Sequence, residues 1–285
     1  MLRRISLTIA VTLALAACAP KQIASPTSAP AALPAATHIV LPASAGRSVD
    51  LSLWIAPAAK GVVEFDHGYG GSPAAYSRLI LRWVAAGYSV VAPLNLDSQS
   101  GPLHGQVDPE TVFKTRIEDM MIARGFIAQR FPGQRVILAG HSFGSLIALI
   151  GGGASTPAGN LGGPLIAGII AFSTPGSVPG LVTPTSFAHL AAPLLLVTGD
   201  ADTVPGFVTD WHDHRLAFDS APAGGKTLLL FAGGNHDLVA STGPAFDTAA
   251  AATIDFLDAY AAGDRRAHAR LAGLKSAGPL TVAHR

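Results

Sequence analysis

The 285-residue sequence contains one cysteine, Cys18, so no disulfide can form within the chain. Charged residues are scarce, at 13%. No run or stripe of Lys and Arg occurs, which removes the electrostatic footprint of a nucleic-acid partner. There is no long hydrophobic span. The longest leading apolar run, ISLTIAVTLALAA, has 13 residues, too few to cross a bilayer comfortably. Internal repeats are absent. Net charge is small too: 19 basic against 18 acidic residues gives +1, and without Arg3 and Arg4 the count is 17 against 18, or −1. Against these absences stands an apolar content of 49%, ample for the core of one large α/β domain or two small ones.

The first residues read as an export signal. MLRR is a positive start, and the apolar run after it ends in Leu15-Ala-Ala-Cys18. That ending resembles the lipobox of bacterial lipoproteins. The resemblance implies cleavage after residue 17 and lipidation of Cys18, tethering the protein to a membrane surface of the bacterial cell envelope, periplasm or outer membrane. An ordinary secretory signal with a coincidental Cys is the alternative. Residues 18–37 are rich in Ala, Pro and Ser and read as an extended tether.

From 38 to 262 strand and helix patterns alternate. Residues 49–55, 61–66, 88–94, 135–140, 165–172, 193–199 and 226–233 read as strands. Residues 74–87, 109–131 and 243–263 read as helices, another opens at SFGSLIALIGG, and 206–219 has weak helical character. Met120 and Met121 are expected in the core, and Gly151-Gly152-Gly153 at a helix end. Residues 263–285 read as a frayed tail. Apolar, non-alternating strands between helices imply an α/β fold: a mostly parallel sheet covered on both faces. Ligands of such sheets bind at the carboxyl ends of the strands.

There the sequence places chemistry. GHSFG puts Ser142 two residues from Gly140 and from Gly144, where strand turns into helix. Such a turn strains its central residue, crowds its neighbours and lifts a hydroxyl beside a helix start. The N–H of Phe143 then faces the place where an oxyanion would form. A serine hydroxyl needs a base, and His236 follows the last of these strands in FAGGNHDL. The base needs an acid, and LLLVTGDADTVPG offers Asp200 and Asp202. Asp202 is preferred, because it lies far enough past the strand to turn toward His236, whereas Asp200 suits a loop cap. The order Ser, Asp, His is that of the α/β hydrolases. After the strand VVEFD, His67-Gly68-Tyr69-Gly70-Gly71 supplies Tyr69 as a second N–H donor, its ring available as a wall of the acyl site. His67 is read as a structural residue of that loop and not as a base. Asp97, Ser98 and His104, in the long loop 94–108, either line the cleft or belong to a surface loop.

GHSFG, GDADTVP, GGNH and DHGYGG together resemble the α/β-hydrolase superfamily. Within it they are similar to the lidless group of dienelactone hydrolases, chlorophyllases and cutinase-like polyester hydrolases. The resemblance covers roughly residues 50–260. It implies Ser142 as nucleophile, His236 as base, Asp202 as acid, Tyr69 and Phe143 as oxyanion donors, no cofactor, and a small-molecule or polymeric ester substrate. Two features depart from it. The disulfide frequent in cutinase-like enzymes is impossible here, and AFSTPGS, with Ser173 and Thr174, stands where polyester hydrolases carry a Trp. The roughly 20 residues between the 165–172 and 193–199 strands leave no room for a sizeable cap. Amide or thioester cleavage on the same fold, and a non-catalytic envelope lipoprotein, are the competing readings. A metal at His212 and His214 of WHDHR is set aside, because no third ligand is obvious and helical spacing turns the two side chains apart.

Overall fold

The computed structural model describes residues 35–101, 103–157 and 159–285. The signal, most of the tether and Cys18 lie outside the described residues. Nine strands form one sheet: β1 (Thr37–Pro42), β2 (Ser48–Trp54), β3 (Val62–Asp66), β4 (Ser89–Leu94), β5 (Val136–His141), β6 (Ile166–Phe172), β7 (Leu194–Gly199), β8 (Lys226–Phe231) and β9 (Leu280–His284). Their spatial order is β1-β2-β4-β3-β5-β6-β7-β8-β9. From β4 through β8 every pairing is parallel. β2 is antiparallel to β1 and β4, and β9 to β8.

The helices are α1 (Ser77–Ala85), α2 (Pro109–Arg130), α3 (Phe143–Gly151), α4 (Leu216–Ser220), α5 (Pro244–Tyr260) and α6 (Arg265–Ala272). Successive strand residues point to opposite faces, and the core divides accordingly. Val63, Phe65, Ile137 and Ala139 pack with Leu79, Ile80 and Trp83 of α1, Phe256 of α5 and Leu271 of α6. Val62, Val136, Leu138 and Leu196 pack with Ala123 and Ile127 of α2, Leu146 and Ile150 of α3, and Phe218 of α4. Asp108 starts α2: its side chain accepts from Thr111 N–H, and Pro109 occupies the first turn.

Two expectations give way. Residues 263–285 are not frayed: α6 packs Leu271 into the core and β9 adds a strand beyond β8. The strand was hidden because its five residues are edge-exposed on one side and lack a long apolar run. Met120 is buried as expected, but Met121, one step round α2, is 46% exposed. Between β6 and β7 there is only a short bridged turn, Val178 to Val182, and a 3₁₀ turn, Pro184–Phe187, so no cap covers the strand ends. No helix among the described residues is long and apolar enough to cross a membrane.

One carboxyl lies inside the core. Glu64 of β3 is 1% exposed, and its nearest cation, Arg124 Nε, is 3.6 Å away, too far for a good hydrogen bond. Burial pushes the Glu64 carboxyl up to about 8, against the opposing pull of Arg124. The native state therefore keeps a proton that the unfolded chain releases near pH ~4.3. This contribution to stability is complete below that pH and is lost as pH rises through about 8. Glu64→Gln is expected to flatten the fall in thermal midpoint between pH 5 and 8, measured by circular dichroism. An unchanged slope would contradict a protonated Glu64.

Candidate active site

The turn from β5 into α3 is made main chain against main chain. Ser142 has φ 53° and ψ −122°, a region that L-residues occupy at a cost of about 1–3 kcal/mol. A Cβ on Gly140 would lie 2.3 Å from the carbonyl of Gly144, and one on Gly144 would lie 2.1 Å from Asp66 O. Neither site admits a methyl group. The second contact also seats the turn on the end of β3, where the Tyr69 loop begins. Ser142 N–H donates to Phe172 O at 2.9 Å, and buried Ser145 donates its hydroxyl to Ser142 O at 2.6 Å. The Ser142 hydroxyl itself has no hydrogen-bond partner among the described residues.

The loop after β3 is gripped from beneath. Arg116 of α2 is fully buried and makes a two-pronged pair with Asp97, Nε to Oδ1 and Nη2 to Oδ2 both at 2.8 Å. Its remaining donors reach His67 O at 2.7 Å and Gly68 O at 3.1 Å. Asp97 Oδ2 accepts Gly70 N–H at 2.9 Å. The carbonyls on one side of Tyr69 and the N–H on the other are thus both held. The Tyr69 N–H is left without a partner among the described residues, as is the N–H of Phe143. The Arg116 guanidinium lies 4.8 Å from the centre of the Phe143 ring, and that ring meets Tyr69 edge-on at 6.4 Å. Burial opposes ionisation of Asp97, but the Arg116 hydrogen bonds outweigh it and hold the carboxyl below its ordinary value.

The loop 94–108 is therefore neither cleft wall nor plain surface at Asp97. Asp97 is a buried strut, and His104 braces it by donating from Nδ1 to Asp97 O at 2.7 Å. Ser98 is buried too and accepts Ser100 N–H at 3.1 Å. His67 is structural. Its Nδ1–H donates to Gly68 O at 2.7 Å, and Nε2 accepts from Asn95 N–H at 3.1 Å. Burial, then the Arg116 charge, push its pKa down to about 3, so it is neutral at pH 7.

The ends of β7 and β8 meet in the same way. A Cβ on Gly199 would lie 2.1 Å from Gly234 O, and Ala201 N–H donates to that oxygen at 3.0 Å. Asp200 caps this junction, its Oδ1 accepting Gly233 N–H at 2.6 Å. Asp202 turns inward, is fully buried, and accepts from His236 Nδ1 at 2.7 Å. Of the two acids, the structure joins Asp202 to the imidazole and gives Asp200 to the loop. Thr198 Oγ1 donates to Asp202 Oδ2 at 2.8 Å. With Nδ1–H engaged, Nε2 of His236 is the nitrogen free to accept a proton.

His141, the residue before Ser142, ties the two halves together. Its Nε2–H donates to His236 O at 2.8 Å, and its Nδ1 accepts from Tyr76 O–H at 2.8 Å. Tyr76 O in turn accepts Gly68 N–H at 3.2 Å. One chain of hydrogen bonds therefore runs from the Tyr69 loop to the His236 loop. The His141 and His236 ring centres are 4.7 Å apart, so the base of the serine turn and the His236 loop pack together. No hydrogen bond closes between their side chains; such bonds commonly tighten only around bound substrate. Burial, then the adjacent His236, push His141 down to about 4, consistent with the neutral tautomer its bonds require.

WHDHR splits. His212 is exposed and bonds Asp210 at 2.6 Å, whereas His214 is buried with its Nε2 2.9 Å from Asp202 Oδ1. The sequence offers no third group for a His212–His214 pair. The structure instead joins His214, Asp202 and His236, at distances of 2.9 and 2.7 Å that are those of N–H···O bonds. Ser173, at φ 51°, donates its N–H to Val197 O at 2.9 Å, and Thr174 O accepts from His214 Nδ1 at 2.6 Å. In this chain Thr174 holds His214, the buried neighbour of Asp202. Arg116, His141, Ser173 and His214 carried no local signal, since each acts on a residue remote in sequence.

The strand order, the strained serine turn and the uncovered carboxyl edge define the α/β-hydrolase fold, and the chain adopts it. Residues 57–174 match the model of a hydrolase family described as serine aminopeptidase, S33. That span holds Tyr69, Ser142 and Phe143 and stops before Asp202 and His236. Among solved structures, a thermostable carboxyl esterase from Bacillus coagulans is similar, with TM-score 0.60 and 16% identity over 79% of this chain and 99% of that one. A dienelactone hydrolase from Anabaena variabilis gives 0.60 and 17% over 80% and 99%. A soluble variant of the monoglyceride lipase of Saccharomyces cerevisiae gives 0.61 and 15% over 82% and 98%. No curated protein matches the sequence.

Arg116→Lys keeps a charge but loses the fork. Labelling of Ser142 by a fluorophosphonate probe is expected to slow about 10- to 100-fold, short of the 10²–10³ for outright loss of an oxyanion donor. Stability should fall by about 3 kcal/mol in a denaturant titration. An unchanged labelling rate would show that the clamp does not hold the donors.

Proposed function

We propose that the protein is a serine hydrolase of carboxylic esters. The observation that carries this is the Asp202–His236 bond at 2.7 Å, whose loop is tied through His141 to the turn that holds Ser142 at φ 53°. Ser142 Oγ attacks the ester carbonyl carbon as His236 Nε2 takes its proton. Asp202 keeps the imidazole oriented and balances its new charge. The N–H groups of Tyr69 and Phe143 receive the oxyanion. Collapse expels the alcohol, protonated by His236, and leaves an acyl group on Ser142. Water, deprotonated by His236, then attacks the acyl carbonyl and returns the enzyme. This chemistry calls for no cofactor. The uncapped strand ends support access by varied esters, from small molecules to polymers.

Short p-nitrophenyl esters test the reading. Ser142→Ala is expected to lower kcat by about 10⁶-fold and Asp202→Asn by about 10⁴-fold. Asp200→Asn, which removes only a loop cap, should leave kcat within a few-fold. Near-normal turnover by Ser142→Ala would end the proposal, and a greater loss at Asp200 than at Asp202 would reassign the acid. The aminopeptidase description of the matched family favours amide cleavage as a second reading. Matched p-nitroanilide substrates separate the two, and faster anilide turnover would replace the first by the second. Failure of the full chain to react with a fluorophosphonate would favour a non-catalytic envelope protein on a hydrolase scaffold.

The same proposal places the protein at a membrane surface through lipid on Cys18. In a bacterial host, labelled palmitate should enter the wild-type chain and not Cys18→Ser. Equal incorporation in both would remove the anchor.

A further inference from the structure

His214 is fully buried and both of its ring nitrogens face oxygen acceptors. Nδ1 lies 2.6 Å from the carbonyl oxygen of Thr174, which has no proton to give. Nε2 lies 3.0 Å from the carbonyl oxygen of Asp202, equally without a proton, and 2.9 Å from its Oδ1. A neutral imidazole offers one N–H, so one of these close pairs would then set a lone pair against a lone pair. Only the doubly protonated ring satisfies both.

We propose that His214 is a resident imidazolium. It is a positioning residue that fixes the Asp202 carboxylate from behind and offsets part of its charge, so that the acid is shared between two imidazoles. The inference rests on the ester-hydrolase reading for its kinetic consequence and on geometry alone for its protonation state.

The surroundings agree. From the β7 turn, Asp202 is the ionised neighbour. From the loop after β8, His236 stacks at 6.0 Å between ring centres. From β5, His141 faces the pair and is neutral for the reasons given above. From β6 comes the Thr174 carbonyl. On the turn of His214 itself, Asp210, His212 and Asp213 are exposed, and Arg215 is bonded to Asp219 at 3.1 Å. Burial alone would discharge an imidazole here; the bond and charge of Asp202 outweigh it and hold His214 above the ordinary histidine value. Asp202, opposed by burial but bonded by His214 and His236, is held far below the ordinary carboxylate range. The two directions describe one ion pair.

The consequence concerns His236. During turnover it must become a cation beside one already present. A fixed positive charge on the far side of Asp202 opposes the second one that acyl transfer creates. His214→Gln keeps a donor toward Asp202 and removes the charge.

The test uses the full chain. On p-nitrophenyl esters, the acid limb of the kcat/KM profile of His214→Gln should move up by about one pH unit. A lowered plateau with the limb unmoved would reduce His214 to a structural part and overturn the proposal. In the wild-type protein, ¹⁵N-edited NMR of the histidine rings should show two N–H signals for His214, unchanged between pH 5 and 9. A single N–H at pH 7 would overturn it as well. The NMR result decides the matter even if the variant does not fold. It also separates the two ideas: absence of ester turnover would sink the functional reading while leaving the charge of His214 to the spectrum.

Discussion

The site depends on main chain meeting main chain where a methyl group does not fit. At Gly144 the serine turn rests on the carbonyls that end β3, and at Gly199 the acid turn rests on Gly234 of the base loop. These two contacts set the spacing of the four strand-end loops before any side chain acts. Side chains can shift between rotamers at small cost; apposed carbonyls and Cα atoms cannot. The sheet supplies the order of the loops, and the glycines supply their separation.

On that frame stand two buried ion pairs. Arg116 with Asp97 stands behind the Tyr69 loop, and His214 with Asp202 stands behind His236. Taking charges out of water costs several kcal/mol per ion unless geometry and further bonds offset it. Both cations are satisfied in the same manner, by spending their spare donors on backbone carbonyls: His67 and Gly68 in one case, Thr174 and Asp202 in the other. Each pair therefore fixes a loop as well as a carboxylate. The chain through Tyr76 and His141 then joins the two loops, and a shift in one is felt in the other.

Much of this was legible in the sequence, for reasons that are local. Buried parallel strands read as apolar runs, and a serine between glycines at a strand–helix junction has few other uses. The two residues from Asp200 to Asp202 separate a carboxylate that caps the loop from one that turns inward to His236. What escaped notice was chemistry at long range. Arg116 sits in a helix whose polar residues suggest a solvated face, and only the folded chain shows it sealed under residues 67–70. His214 hid in WHDHR, where the question was what the two histidines share; they share nothing, since one faces water and the other Asp202. The β9 strand was missed because an edge strand pairs through its backbone and needs few apolar side chains.

Ser142 carries a conformation that glycine would adopt freely, and Ser173 carries a similar one just past the end of β6. Glycine at either place would relieve strain of about 1–3 kcal/mol. Under the proposed function, folding and turnover make opposite demands on residue 142: glycine would favour the first and end the second.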